Sequence, residues 1–170
     1  LRSRIAILLG EDRASALYGK ISVGEDKKVI TTQQIDNALK KSVFFGKVSK
    51  DKIERQSIFY KGNLDYTFDK LSKFILKSLD FLKDKLEIEW EKPDGIIVIN
   101  KGIYAIIMIL SDIIDYLEKI NEISERDNIN SIIEKTEKYL LPLVTFYKNI
   151  NEDLTSTLKT AYGTGGDVKY

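Results

Sequence analysis

The stretch NLDYTFDKLSKFILKSLDFLKDKLEIEW, residues 63–90, carries the clearest helical period in the chain. Asn63 is a helix-capping residue. After it, Leu64, Phe68, Leu71, Ile75, Leu79, Leu82 and Leu86 recur at spacings of three and four, the period of one helix face rather than of a strand. Phe74 and Phe81 widen the stripe, and Pro93-Asp94-Gly95 is a turn signal that predicts the helix end near Trp90. A long helix with one apolar face must be covered by other elements.

Working outward, Gly95-Ile96-Ile97-Val98-Ile99-Asn100 reads as a short strand or an extended approach to the next helix. That helix runs from Lys101 to about Ile123 and is apolar over most of its circumference near Ile103 to Leu110, which marks a central helix. Ser124 to Asn128 is a polar break. A third long helix follows to about Asn149, with Pro142 expected to kink it. Asn151 caps a last helix that should stop at Gly163.

Upstream, Arg2 to Leu9 reads as the end of a helix closed by Gly10-Glu11-Asp12. Ile21 to Val23 and Lys28 to Ile30 flank Gly24-Glu25-Asp26-Lys27 as a short hairpin. Thr31 with Gln34 fits a capping box opening a helix that buries Ile35, Ala38 and Leu39. Phe44 to Gly62 has no clean period and reads as a loop with short turns, or a flap. The fold class is therefore mainly α: an irregular helical bundle with a small β-hairpin near the N-terminus. It forms a single domain over 1–170, with 164–170 as a flexible tail. The first residue is not Met, so the expectation is a piece cut from a longer protein, or a processed one.

Composition removes several chemistries. The chain has no Cys and no His. Disulfides, thiolate metal sites, a Cys nucleophile and the commonest general base are excluded together. The apolar run Gly102 to Ile114 is broken by Ser111 and Asp112 and is too short for a membrane span. The expected location is cytoplasmic. Net charge is +1, but it is polarised. Lys40, Lys41, Lys47, Lys50, Lys52, Arg55 and Lys61 face only Asp51 and Glu54 in their segment, whereas Ser111 to Glu137 is acidic.

Four constellations invite a functional reading. In the basic segment, lysines could neutralise phosphates while aromatics stack on bases; equally, it could be a solvated loop whose aromatics pack inward. The residues singled out for nucleic-acid contact are Lys47, Lys50, Lys52, Arg55 and Lys61, with Phe45 and Tyr60 as stacking rings. In Tyr162-Gly163-Thr164-Gly165-Gly166, the glycines Gly163, Gly165 and Gly166 could let backbone amides cradle a phosphate. A phosphate loop normally opens a helix rather than following one, so a helix C-cap with a loose tail competes. The ladder Asp112, Asp115, Glu118, Glu122 could hold a hard cation or form a solvated helix face. Pro93-Asp94 with Lys101 approaches a nuclease pattern, but Ile99 stands where its second acid belongs.

Two segments carry a resemblance. Arg4-Ile5-Ala6-Ile7-Leu8-Leu9 through Asp12, Ser15 and Leu17-Tyr18-Gly19-Lys20-Ile21 resembles a stretch of DGQHR-domain proteins, with Ala16 where the family string has proline. Ala161-Tyr162-Gly163-Thr164-Gly165-Gly166 resembles a Gly-rich string near the end of the same proteins. Thr31 to Leu39 and Gly95 to Leu110 agree loosely. The Asp-Gly-Gln-His-Arg signature itself is absent, as expected if it lies upstream.

The resemblance implies a ParB-like core associated with DNA modification and defence, of which this chain would be the helical C-terminal part. The leading expectation is a non-catalytic module supporting contact with DNA or a partner subunit. The partners implied are the upstream domain of the same protein, DNA and a second copy of the chain. Two alternatives stand beside it. One is part of a nucleotide-processing enzyme whose catalytic residues lie upstream, with a nucleotide as the parent's cofactor and none held by this chain. The other is a structural helical adaptor.

Overall fold

The computed structural model describes residues 1–25, 27–49, 52–60 and 62–161, with backbone alone for 47–49, 52–55 and 161. The chain is mainly α-helical, and the helices follow the apolar periods of the sequence. They are α1 (Arg2–Glu11), α2 (Thr32–Lys41), α3 (Leu64–Lys85), α4 (Glu87–Glu91), α5 (Asn100–Lys119), α6 (Ile129–Asn149) and α7 (Glu152–Ala161). Helix α2 lies between α1 and α5, and α3 packs along α6.

The stripe of α3 builds the interior. Leu71, Phe74, Ile75, Leu79 and Leu82 are fully buried. Its first member, Leu64, is 63% exposed at the opening turn. Asn63 caps as the sequence predicts, accepting the N–H groups of Asp65 and Tyr66. The helix does not continue to Trp90, however. It breaks at Leu86 (φ −128°, ψ 35°), and α4 starts after it. The break lets Trp90 turn inward, where its indole N–H donates to the Ala16 carbonyl at 3.2 Å.

The segment that carries the family resemblance is a folded joint. The Ser15 hydroxyl donates to the Leu9 carbonyl at 2.7 Å and accepts the Leu17 N–H at 3.1 Å. Gly19, at φ +69°, turns its N–H back to Gly10. Helix α1 is thereby closed by its own following loop.

The small β element near the N-terminus is present, but it is not a hairpin. Strands β1 (Ile21–Ser22) and β2 (Ile30–Thr31) pair in parallel, Ile21 opposite Ile30. The direction of β2 is set by its junction with α2 and by α5. Thr31 caps α2 by accepting the Gln34 N–H at 3.2 Å, and its own N–H donates to Asn100 Oδ1 at 2.8 Å. The Lys28 N–H folds onto the Ser22 hydroxyl at 2.7 Å and closes the connection.

The region from Phe44 to Gly62, aperiodic in sequence, contains a 3-10 turn (Val43–Phe45) and two antiparallel strands, β3 (Lys47–Ser49) and β4 (Lys52–Arg55). Strands this short, broken by a bulge, leave no alternating pattern to read.

Residues 96–99 are bends leading into α5, not a strand. They cross so close to the first turn of α5 that a Cβ at Gly102 would overlap the carbonyl oxygens of Ile96 and Ile97. Helix α5 ends at Lys119, short of Ile123, because Asn121 takes a left-handed conformation (φ 58°) and the Glu122 N–H returns to the Leu117 carbonyl. Asn tolerates that conformation better than most residues. Helix α6 runs through Pro142 as one element, capped by Asn128 accepting the Ser131 N–H at 2.9 Å. Asn151 caps α7 through the Leu154 N–H; the expected stop at Gly163 and the tail 164–170 lie outside the described residues. Among the described residues, no helix is long and apolar enough to cross a membrane.

Candidate nucleic-acid interface

Strands β3 and β4 grow from a buried aromatic root. Phe44 precedes β3 and Phe59 follows β4. Their rings meet edge-on at 5.6 Å, and both contact Phe74 of α3, at 5.7 and 5.1 Å. All three are fully buried. Aromatic pairs in this geometry contribute about 0.5–1.5 kcal/mol beyond their burial.

Polar bonds tie the same root. The Ser57 hydroxyl donates to the Phe44 carbonyl and accepts the Phe59 N–H. Ser42 donates to the Leu39 carbonyl at 2.7 Å and accepts the Phe44 N–H, while the Val43 N–H reaches Ser111 Oγ of α5 at 2.9 Å. Lys70, buried within α3, donates to the Ile58 carbonyl at 2.9 Å, with its ammonium 6.0 Å from the Phe59 ring centre. A buried ammonium is tolerated only when such partners replace water. The two ends of the ribbon are therefore fixed to α3 and α5.

The register of the ribbon pairs Lys47 with Arg55, Val48 with Ile53 and Ser49 with Lys52, with an irregularity between Lys47 and Val48. Three of the five basic candidates thus belong to one two-stranded element, and two of them occupy paired positions. The others, Lys50 and Lys61, lie outside the described residues, as do Gly163, Gly165 and Gly166. Of the two stacking candidates, Phe45 packs its ring partly against the core, and Tyr60 is 38% exposed.

Helix α2 delivers further cations beside the root. Lys40 and Lys41 are exposed in its last turn, and the Lys41 ammonium stands 5.7 Å from the Tyr104 ring of α5. Sequence reading placed these lysines in the basic segment without singling them out. It missed Lys70 altogether, although a lysine beside the stripe residue Leu71 and four residues before Phe74 is a visible signal.

The acidic ladder and Asp94 lie among the described residues. Asp115 pairs with Lys119 at 2.6 Å, while Asp112 and Glu122 face solvent. Among the described residues no group of three acids is placed to hold a metal ion. Asp94 pairs with Lys159 of α7 at 3.5 Å.

Among the described residues, the carboxyls of Asp127 and Glu137 are shifted from their ordinary values. Asp127 is held below the usual carboxylate range, first by the Ser124 hydroxyl at 2.9 Å and then by the Ser124 N–H at 2.7 Å; Lys135 and Lys70 assist more weakly. Glu137 is pushed up, first by burial and then by Glu134, against an opposing pull from Lys85.

Comparison with protein-family models, with curated proteins and with solved structures gave no match.

Proposed function

We propose that this chain is a non-catalytic helical module of a DGQHR-type protein, working in a cytoplasmic DNA modification or defence system and contacting DNA through the β3–β4 ribbon. The observation that carries the reading is that three basic residues, Lys47, Lys52 and Arg55, fall on one two-stranded element. Each phosphate neutralised by a Lys or Arg releases condensed counterions. The exposed Lys40 and Lys41 extend the cationic surface toward α2.

The helical body supplies rigidity. Its buried hydroxyls and carbonyls around Ser15, Ser42 and Ser57 are engaged in joining elements. The preceding domain of the same protein, and a second copy of the chain, are the further partners of this reading.

The test is a gel-shift titration of the 170-residue chain with DNA at low salt, beside a variant carrying Lys47→Glu, Lys52→Glu and Arg55→Glu. The reading expects a shift for the parent chain and its loss in the variant, with unchanged far-ultraviolet circular dichroism. No shift for the parent chain at low salt would remove the reading.

A further inference from the structure

We infer that one face of α5 and α6 is the surface through which two copies of this chain pair. The inference gives the second copy named above its place of contact, and it does not depend on DNA binding.

The face begins with helical spacing. Ile113, Tyr116 and the α5 C-cap Ile120 follow one another at three and four residues, and Tyr139, Leu143 and Phe146 of α6 at four and three. Residues so spaced share one side of a helix. The two rows meet where the Tyr116 and Tyr139 rings approach edge-on, 5.6 Å between centres. Ile113 and Leu143 lean partly on the core. Tyr116, Ile120, Tyr139 and Phe146 stay 49, 42, 42 and 43% exposed. Adjoining apolar side chains of this size mark a contact surface, where scattered single ones do not. Three of these are aromatic, the class enriched at protein interfaces.

Charge selects the occupant. Ions bordering the face are paired within the chain: Asp115 with Lys119 at 2.6 Å, Glu134 with Lys138 at 3.9 Å and Lys135 with Asp127 at 3.9 Å. Asp112 adds one exposed carboxylate at the edge. A rim balanced in this way offers little to a polyanion or to a strongly basic segment. A second copy brings the same balanced rim, so like charges do not oppose it. With a net charge of +1, whole molecules scarcely repel one another.

Area and symmetry agree. Helices α5 and α6 have 20 and 21 residues, and two such helices side by side present a face about 30 Å by 20 Å, roughly 600 Å². Stable pairs bury about 800 Å² per partner, and weaker ones about 600 Å² or less. The face therefore suits a reversible dimer, with Kd of roughly 1–100 µM. A two-fold axis sets Tyr116 of one copy against Tyr139 of the other and repeats the contact in reverse.

The experiment is sedimentation equilibrium of the full 170-residue chain from about 1 to 500 µM, at low and high salt. The expected result is a monomer–dimer equilibrium whose constant moves less than about twofold with salt, since buried apolar contacts are not screened. Tyr116→Glu with Tyr139→Glu should weaken pairing at least about tenfold, at unchanged far-ultraviolet circular dichroism. Tyr116→Phe with Tyr139→Phe should retain it. Tyr18→Glu, at an equally exposed ring outside α5 and α6, should leave it unchanged. Should the double Glu variant lose helix content, Ile120→Lys repeats the test at the end of α5. A chain that stays monomeric at the highest concentration would overturn the inference. So would a dimer that salt dissolves, or one that survives these charged replacements on the face. Each of those results leaves the ribbon reading standing, because the gel shift tests it separately.

Discussion

The Trp90 indole N–H donates to the Ala16 carbonyl at 3.2 Å, joining two residues 74 positions apart in the chain. The bond ties α4 to the loop that closes α1, and it exists because α3 breaks at Leu86. Trp90→Phe keeps most of the apolar volume but leaves the carbonyl without its donor, so chemical denaturation should show a loss of about 1–3 kcal/mol. Trp90→Ala adds a cavity and should cost about 3–5 kcal/mol. Equal stability of Trp90→Phe and the parent would show that the bond contributes nothing.

Gly102 offers a test of opposite sign to the usual rule. Glycine to alanine inside a helix ordinarily gains about 1 kcal/mol. Here the new Cβ would strike the Ile96 and Ile97 carbonyls, and overpacking of this kind costs about 1–3 kcal/mol. Thermal unfolding of Gly102→Ala should therefore begin at a lower temperature than that of the parent. A raised melting temperature would mean that residues 96–99 do not cross α5 so closely.

Asp127 links pH to stability. Its folded pKa is depressed by Ser124. Its contribution is present above the unfolded pKa and is lost as pH falls through the folded one. Ser124→Ala should bring the Asp127 titration, followed by carboxyl-carbon NMR, back toward the ordinary value. Stability near neutral pH should fall at the same time, while the difference between variant and parent shrinks in acid. An unchanged titration would contradict the assignment to Ser124.

Glu137 carries the opposite sign. Burial and Glu134 raise its folded pKa, so its charged form opposes folding. The favourable condition holds at pH below the unfolded pKa and is lost as pH rises through the folded one. Glu137→Gln should raise the melting temperature at neutral pH and change it little in acid. A lower neutral melting temperature would show that Lys85 outweighs the desolvation.

Most helices were legible because their signals are local. Asn63, Thr31 and Asn151 each accept a backbone N–H at the start of a helix, and the stripe of α3 has the helical period. The break at Leu86 was not legible, since the apolar spacing continues across it and only the distant Ala16 carbonyl rewards the turn. The parallel pairing of Ile21 with Ile30 was hidden for a similar reason. Its direction comes from Asn100, far along the chain. In the candidate interface, the basic residues could be read as a composition shift, but the Lys47–Arg55 register could not, because pairing is a property of two strands. The inward packing of Phe44 and Phe59 was visible only as one of two alternatives.

In the proposed complex the cations of β3 and β4 meet phosphates. The most direct measurement is the slope of log K against log salt for DNA binding, for the parent chain and for Lys47→Ala, Lys52→Ala and Arg55→Ala singly and together. A steep negative slope that loses about one unit per removed cation, at constant helix content, is the expected outcome. A slope unmoved by all three replacements would contradict it.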